Sequence, residues 1–308
     1  MIRASGLKLR LSTIITAGLL ILPILSTAAK SAGNSAGITM TFPTGARSLA
    51  MGDACCGLSG SPDAVNYNPA ALSELRSTEI SAFYERRLVD DSFSGIRLAW
   101  PAPFGVLGLS LLHYTSGDIE LVTTAGDVRV VVGQQDYIAA FRYAARPWQH
   151  LGIGVGFKVM KSTLAEEFHA SGVSSDFGWL YESGDRGFSL GGSVTNFGEH
   201  LEYKKQTEDI PWIVRLGGAY ACEVVGSSLR VSGDLVRVRE SDLREHIGIE
   251  SLIVGCLAVR AGYKFGYENA GLTFGFGLQV GRLQLDHGIG VTDHFGDIHL
   301  TQITYVFF

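Results

Sequence analysis

Leu272-Thr-Phe-Gly-Phe-Gly-Leu-Gln-Val280 runs through Gly281 into Arg282-Leu-Gln-Leu-Asp-His-Gly-Ile-Gly-Val291. In the first half Leu272, Phe274, Phe276, Leu278 and Val280 share one parity, and Thr273, Gly275, Gly277 and Gln279 the other. In the second half Leu283, Leu285, Ile289 and Val291 stand against Arg282, Gln284, Asp286 and Gly288. Side chains alternate across a strand, so each half reads as a β-strand with one apolar face and one small, polar face. The same pattern recurs upstream. Leu151, Ile153, Val155, Phe157 and Val159 oppose Gly152, Gly154, Gly156 and Lys158, and Phe188, Leu190 and Val194 oppose Ser189, Gly191, Ser193 and Thr195.

A soluble antiparallel sheet also alternates, but two features favour a membrane wall. The segments run to about ten residues, longer than the five or six usual in soluble sheets and close to the 9 to 11 of a tilted transmembrane strand. Their polar face also carries mid-strand charges, Arg142, Arg215, Asp234, Arg260 and Asp286, which a wet lumen would solvate. About fourteen segments fit, at 77-87, 92-101, 105-115, 135-146, 150-162, 172-182, 187-196, 211-223, 226-239, 243-252, 254-266, 271-280, 282-291 and 298-308. Connections after even-numbered segments are tight, with Gly281 alone joining two of them, and the longest, 116-134 and 198-210, follow odd-numbered ones. Short periplasmic turns alternating with longer external loops characterise bacterial outer-membrane barrels. The reading is all-β, a transmembrane antiparallel β-barrel of about fourteen strands. The final Ile303-Thr-Tyr-Val-Phe-Phe308 resembles the terminal-strand signal used in barrel insertion, with Phe308 one place out of register.

Composition agrees. The chain has 308 residues, 46% hydrophobic and 18% charged, with a net charge of -5 and a mean hydropathy of +0.20. That excludes disorder, and the absence of a basic stripe argues against nucleic-acid partners. Arg3, Lys8 and Arg10, the apolar run Leu11 to Leu25 and the small residues Ser26 to Ala29 predict a cleaved signal peptide over 1-29. No later window is apolar enough for a transmembrane helix, so export is to the periplasm, the outer membrane or outside, and the barrel pattern selects the outer membrane of a Gram-negative-type bacterium. Cys55, Cys56, Cys222 and Cys256 read as small buried residues with one disulfide possible, and no metal site or cofactor is expected. Enzyme readings fail. The Gly152-Ile-Gly154 pairs open no helix, Ser59-Gly60-Ser61 lacks a strand-to-helix elbow, and the histidines are scattered, with only His287 falling on an apolar face.

Residues 30-76 break the alternation and read as a compact N-terminal plug or hatch preceding the barrel at 77-308. Gly45-Ala46-Arg47, Ala50-Met51-Gly52, Asp63-Ala64 and Tyr67-Asn68-Pro69-Ala70-Ala71-Leu72, in that order and spacing, resemble the PorV/PorQ-like family of FadL-type outer-membrane proteins. Asp53 stands where that family usually has a second glycine, and Cys55 and Cys56 where it has aliphatic or aromatic residues. The resemblance implies a fourteen-stranded barrel plugged by this segment, with Gly45, Arg47, Met51, Gly52, Asp63, Asn68 and Pro69 as the plug motif. It also implies passage of hydrophobic small molecules or, alternatively, a PorV-like docking role with secretion-system proteins in type IX secretion. Outer-membrane lipid and the barrel-assembly machinery are the other expected partners. The polar face offers Arg97, Arg142, Lys158, Arg215, Arg230, Arg260, Lys264 and Arg282 against Asp176, Asp234, Glu250 and Asp286, a basic interior. Of these, Arg97, Arg142, Arg215, Arg230, Arg260 and Arg282 are candidates to clamp a ligand carboxylate, or else to pair with the lumen acids and the plug.

Overall fold

The computed structural model describes residues 37-60, 62-87, 90-122, 126-184, 187-198, 200-203, 206-224, 227-267, 270-293 and 296-307. The predicted signal peptide and Phe308 lie outside them. The wall is built from β1 (Glu79–Arg86), β2 (Ser92–Ala102), β3 (Gly105–Thr115), β6 (Gln134–Trp148), β7 (Leu151–Leu164), β8 (Phe168–Glu182) and β9 (Phe188–Gly198). It continues through β12 (Ile213–Val224), β13 (Ser227–Val238), β14 (Leu243–Ile253), β15 (Leu257–Phe265), β16 (Ala270–Val280), β17 (Leu283–Thr292) and β18 (Ile298–Val306). Each strand pairs antiparallel with its neighbours, and β1 closes on β18, giving a closed barrel of 14 strands. Two small hairpins, β4 (Asp118–Val122) with β5 (Val128–Val132) and β10 (Leu201–Tyr203) with β11 (Gln206–Glu208), occupy the two long connections. The end bearing them is here the loop end, and the opposite end is the turn end.

The alternation sorts as the register requires. On β16, Leu272, Phe274, Phe276 and Leu278 point outward and exposed, while Thr273, Gly275 and Gly277 face in. Phe141, Ile153, Val155, Phe157, Ile247, Ile249, Val259 and Leu285 extend this apolar band around the wall. In lipid, each such side chain gains roughly 1.5-3 kcal/mol relative to water. Trp100, Phe104, Trp148, Phe188 and Tyr220 ring the turn end with exposed aromatics, as expected at a membrane interface.

Three details depart from the sequence reading. Arg282 sits with Gly281 in the tight turn before β17 rather than within a strand. The period of two fails in β9, where the register against β8 shifts and Asn196 takes φ 59, so that Phe197 points outward out of phase. Cys55 and Cys56 are buried as expected, but Cys222 is only half-buried and Cys256 is exposed, and none of the four is disulfide-bonded.

Candidate functional site

The described residues 37-75 before β1 lie inside the barrel. A 3-10 turn (Ile38–Thr41) leads to the short helix α1 (Ala46–Ala50), an irregular stretch, and two further 3-10 turns, Ala64–Asn66 and Pro69–Glu74. From Ala46 to Leu72 almost every residue is buried, although the segment is too short to form a core of its own. Glycines of the wall explain how it fits. A Cβ on Gly288 would lie 2.5 Å from the Ala46 carbonyl, on Gly275 2.4 Å from Ala50 Cβ, and on Gly262 2.2 Å from the Gly52 nitrogen. A Cβ on Gly248 would meet the Met51 carbonyl at 2.4 Å, on Gly191 the Cys56 carbonyl at 2.0 Å, and on Gly154 the Ala70 nitrogen at 2.4 Å. Real Cβ atoms do not come this close, so any side chain at these positions would push the segment off the wall. The inner chain therefore travels around the barrel from β17 to β7 with its backbone laid on inward-facing glycines.

The motif residues fix the two ends of this path. Gly45 has no Cβ because Asp63 lies over it, where one would fall 2.4 Å from the carboxyl carbon. Asp63 there accepts from Gln302 Nε2 at 2.8 Å and pairs with Arg97 at 3.1 Å. Arg47 of α1 donates from Nε and Nη2 to the two oxygens of Glu250, both at 2.7 Å. Glu250 also receives Arg260 Nε at 2.7 Å and Arg230 Nη1 at 2.8 Å. Met51 is fully buried against β14. Gly52 takes φ 64 with the wall closing on it, since a Cβ would be 2.7 Å from the Ile247 carbonyl. Asn68 donates to the Cys56 and Trp179 carbonyls at 2.9 and 2.8 Å and accepts from Ala70 N at 3.0 Å, capping the turn that Pro69 begins.

The departures from the family pattern are accommodated. Asp53 holds φ 59, a left-handed conformation that suits glycine best but that aspartate tolerates. It accepts from Tyr67 Oη at 2.6 Å and Lys264 Nζ at 3.1 Å. Burial opposes its charge, but Lys264 and then His246 outweigh it and hold the carboxyl below its ordinary range. The backbone N–H groups of Cys55 and Cys56 both donate to Asp234 Oδ2, at 2.9 and 2.8 Å, and burial together with that carboxylate pushes both thiols up. These are inert thiols on a carboxylate cradle.

The predicted excess of interior cations shrinks. Glu79, Glu85 and Asp136 also face inward, and Asp53 and Asp63 come from the segment. Among the described residues the acids Glu79, Glu85, Asp136, Asp176, Asp234, Glu250, Asp286, Asp53 and Asp63 stand against the bases Arg97, Arg142, Lys158, Arg215, Arg230, Arg237, Arg260, Lys264 and Arg47. Of the six arginines proposed as a clamp, Arg97, Arg230 and Arg260 engage carboxylates and Arg282 is in a turn. Arg142 bonds Ser110 at 3.0 Å and Asn66, with Asp176 at 3.7 Å. Arg215 differs: its guanidinium lies 5.0 Å from the Tyr67 ring centre, and its buried Nε and Nη1 meet no acceptor among the described residues.

Above this seat, toward the loop end, the inner wall changes character. Phe83, Phe93, Leu112, Tyr114, Ile138, Met160 and Leu300 all point inward and are buried, with Leu201 and Ile210 of the long 198-210 connection beside them. Met40 and Phe42 fill the apolar chamber they make, Phe42 edge-on to Phe93 and Tyr114 at 5.9 and 5.6 Å between ring centres. About 20 Å³ remains free, between Met40, Phe42, Leu112 and Ile138 on one side and Arg142, Lys158 and Arg215 on the other. That is room for about one water. Below the seat, at the turn end, an open polar space of about 280 Å³ is lined by Arg47, Glu79, Glu250, Gln279, Gln284 and Gln302. The apolar chamber escaped the sequence reading, which treated the inward face as uniformly polar. The signal was present in Leu111-Leu112, where both faces of β3 turn apolar near its loop end.

No family model and no curated protein matches the chain in sequence. Solved structures match its fold. The CymD monoaromatic hydrocarbon channel superposes with a TM-score of 0.60 over 85% of this chain and 97% of its own, at 10% identity. The Pseudomonas putida toluene transporter TodX gives 0.60 over 85% and 96%, at 13% identity. A Pseudomonas aeruginosa FadL homologue gives 0.56 over 86% and 98%, at 10% identity. At these identities the likeness is one of fold.

Proposed function

We propose that the protein admits hydrophobic small molecules across the outer membrane, receiving them in the apolar chamber at the loop end. The observation that carries this reading is the chamber itself, an inward-facing apolar surface that a water-filled pore would not have and that the chain fills with its own Met40 and Phe42. A hydrophobic ligand competes for that surface with two side chains rather than with a fixed core. Arg215 and Arg142 at the chamber floor supply donors for a polar head where one exists. The fold shared with hydrocarbon channels supports the same reading, as does the absence of any nucleophile with a paired base in the lumen among the described residues.

Uptake of labelled toluene by cells expressing the protein tests this. Replacing Leu112 and Ile138 together with aspartate is expected to abolish uptake, and Phe42→Ala to raise it, with heat-modifiable migration retained in both. Uptake no greater than in cells lacking the protein rejects the proposal.

A second reading, PorV-like docking in type IX secretion, draws on the motif at 45-72 and on the segment's close fit to the wall, which leaves the rim and the exposed β4–β5 hairpin as the accessible elements. Loss of protein secretion on deleting that hairpin, with toluene uptake unchanged, would favour it.

A further inference from the structure

The apolar band is interrupted where three adjacent strands present polar side chains together. On the outer wall, from the middle of β17 to the loop ends of β18 and β1, His287, His299, Thr301, Tyr84 and Arg86 all point outward. They are cross-strand neighbours: Arg86 stands opposite His299, Tyr84 opposite Thr301, and His287 opposite Thr301. His287 Nδ1 lies 2.9 Å from Thr301 Oγ1, and its Nε2 lies 3.5 Å from His299 Nδ1, so the patch is a connected polar surface. Arg86 is exposed, and no carboxylate of the described residues lies within ion-pair distance of it or of either histidine. The nearby Asp297 is engaged instead by the Thr292 N–H at 3.2 Å. On β16, by contrast, the band stays apolar from Leu272 to Val280.

We infer that this patch binds the phosphorylated headgroup of an outer-leaflet glycolipid. Donors without a countercharge at membrane depth are costly in hydrocarbon, and a phosphate supplies the acceptor that Arg86 lacks and a further one for the His299 and Thr301 beside it. Ile303, Ile80 and Leu285, directly below on the same wall, then lie against the acyl chains. The orientation follows from the loop end being external. The site lies on the outer wall, away from the chamber, so the transport proposal and this one can fail separately.

Native mass spectrometry of the purified full mature chain in detergent tests it, with bis-phosphorylated lipid A as the probe. Expected is a bound lipid whose occupancy falls ~tenfold in Arg86→Gln combined with His299→Gln, on the scale of losing charged contacts to an anionic lipid surface. Arg86→Lys should keep most of the binding, and Lys161→Gln, a cation on the outward face of β7, should leave it unchanged. All variants are first checked for heat-modifiable migration; if the double variant does not fold, Arg86→Gln alone carries the comparison. The inference is overturned if lipid A stripped of phosphate binds equally, if Lys161→Gln loses as much, or if the Gln variants bind like the parent. Inorganic phosphate that saturates the site without lipid, or a second copy of the chain covering the patch in place of lipid, overturns it too.

Discussion

Residues 46-72 and residues 37-42 lie in the same lumen and are held in different ways. The first stretch is set backbone to backbone on wall glycines and tied by Arg47 to Glu250, Asp63 to Arg97, and Cys55 and Cys56 to Asp234. The second rests on apolar side chains, with the polar ties Thr39 Oγ1 to Asp136 at 2.8 Å and Asn196 Nδ2 to the Met40 carbonyl at 3.3 Å. A backbone seated on glycine has no rotamer by which to move aside, whereas an apolar side chain on an apolar wall exchanges for any molecule of similar surface. On the proposed function, the lower stretch is the fixed partition of the barrel and the upper one its replaceable stopper.

The sharpest way to break this contrast is to remove the partition. Deleting 43-72 is expected to convert a closed barrel into a conducting one, read as ion current in a planar bilayer, because fourteen strands enclose more space than wall side chains fill. Current no larger than that of the intact protein would mean the segment closes nothing.

A single added side chain comes next. Gly262→Val places atoms where the Gly52 nitrogen and Met51 carbonyl carbon now stand, at 2.2 and 2.4 Å from the new Cβ. Overpacking of this kind costs about 1-3 kcal/mol or more, and protease should then cut within 43-72 while the barrel keeps its heat-modifiable migration. Protection equal to the parent's would refute the glycine seat.

Asn68→Ala should act more weakly at the same seat. It strands the Cys56 and Trp179 carbonyls, at roughly 1-3 kcal/mol for a buried group left without its partner, lowering the thermal midpoint without opening the barrel.

The smallest effect is one of pH. Arg146 at the turn end pairs with both Glu74 and Glu182. Burial first and then the Glu182 carboxylate push Glu74 up to about 7, against Arg146. A raised carboxyl favours the protonated folded form. Its contribution is complete below the ordinary carboxylate range and fades as pH rises through about 7. Protease sensitivity near residue 74 should grow over that interval and become flat in Glu74→Gln. A slope of opposite sign would show that Arg146, not the carboxylate pair, governs this corner.

The wall was legible because a period of two that is apolar on one side permits only one arrangement in a membrane, and the strand positions follow from it to within a few residues. The seat was half legible. Gly152, Gly154, Gly275 and Gly288 announced a small inner face, but a glycine does not say what lies on it, and the partner segment is far away in sequence, 84 residues from Gly154 and 242 from Gly288. The chamber was the least legible feature. Phe83, Phe93, Ile138 and Met160 face inward among residues read as the polar side, and only the presence of Met40 and Phe42 explains them. Charge counting failed for the same long-range reason: Asp53 and Asp63 join the lumen only once the segment has folded into it.

Hydrogen exchange of the intact protein in nanodiscs, with and without saturating toluene, tests the difference between partition and stopper most directly. Toluene is expected to speed exchange across 37-42 and leave 46-72 as protected as before. Faster exchange throughout 46-72, or no change at 37-42 while toluene binds, would contradict the account.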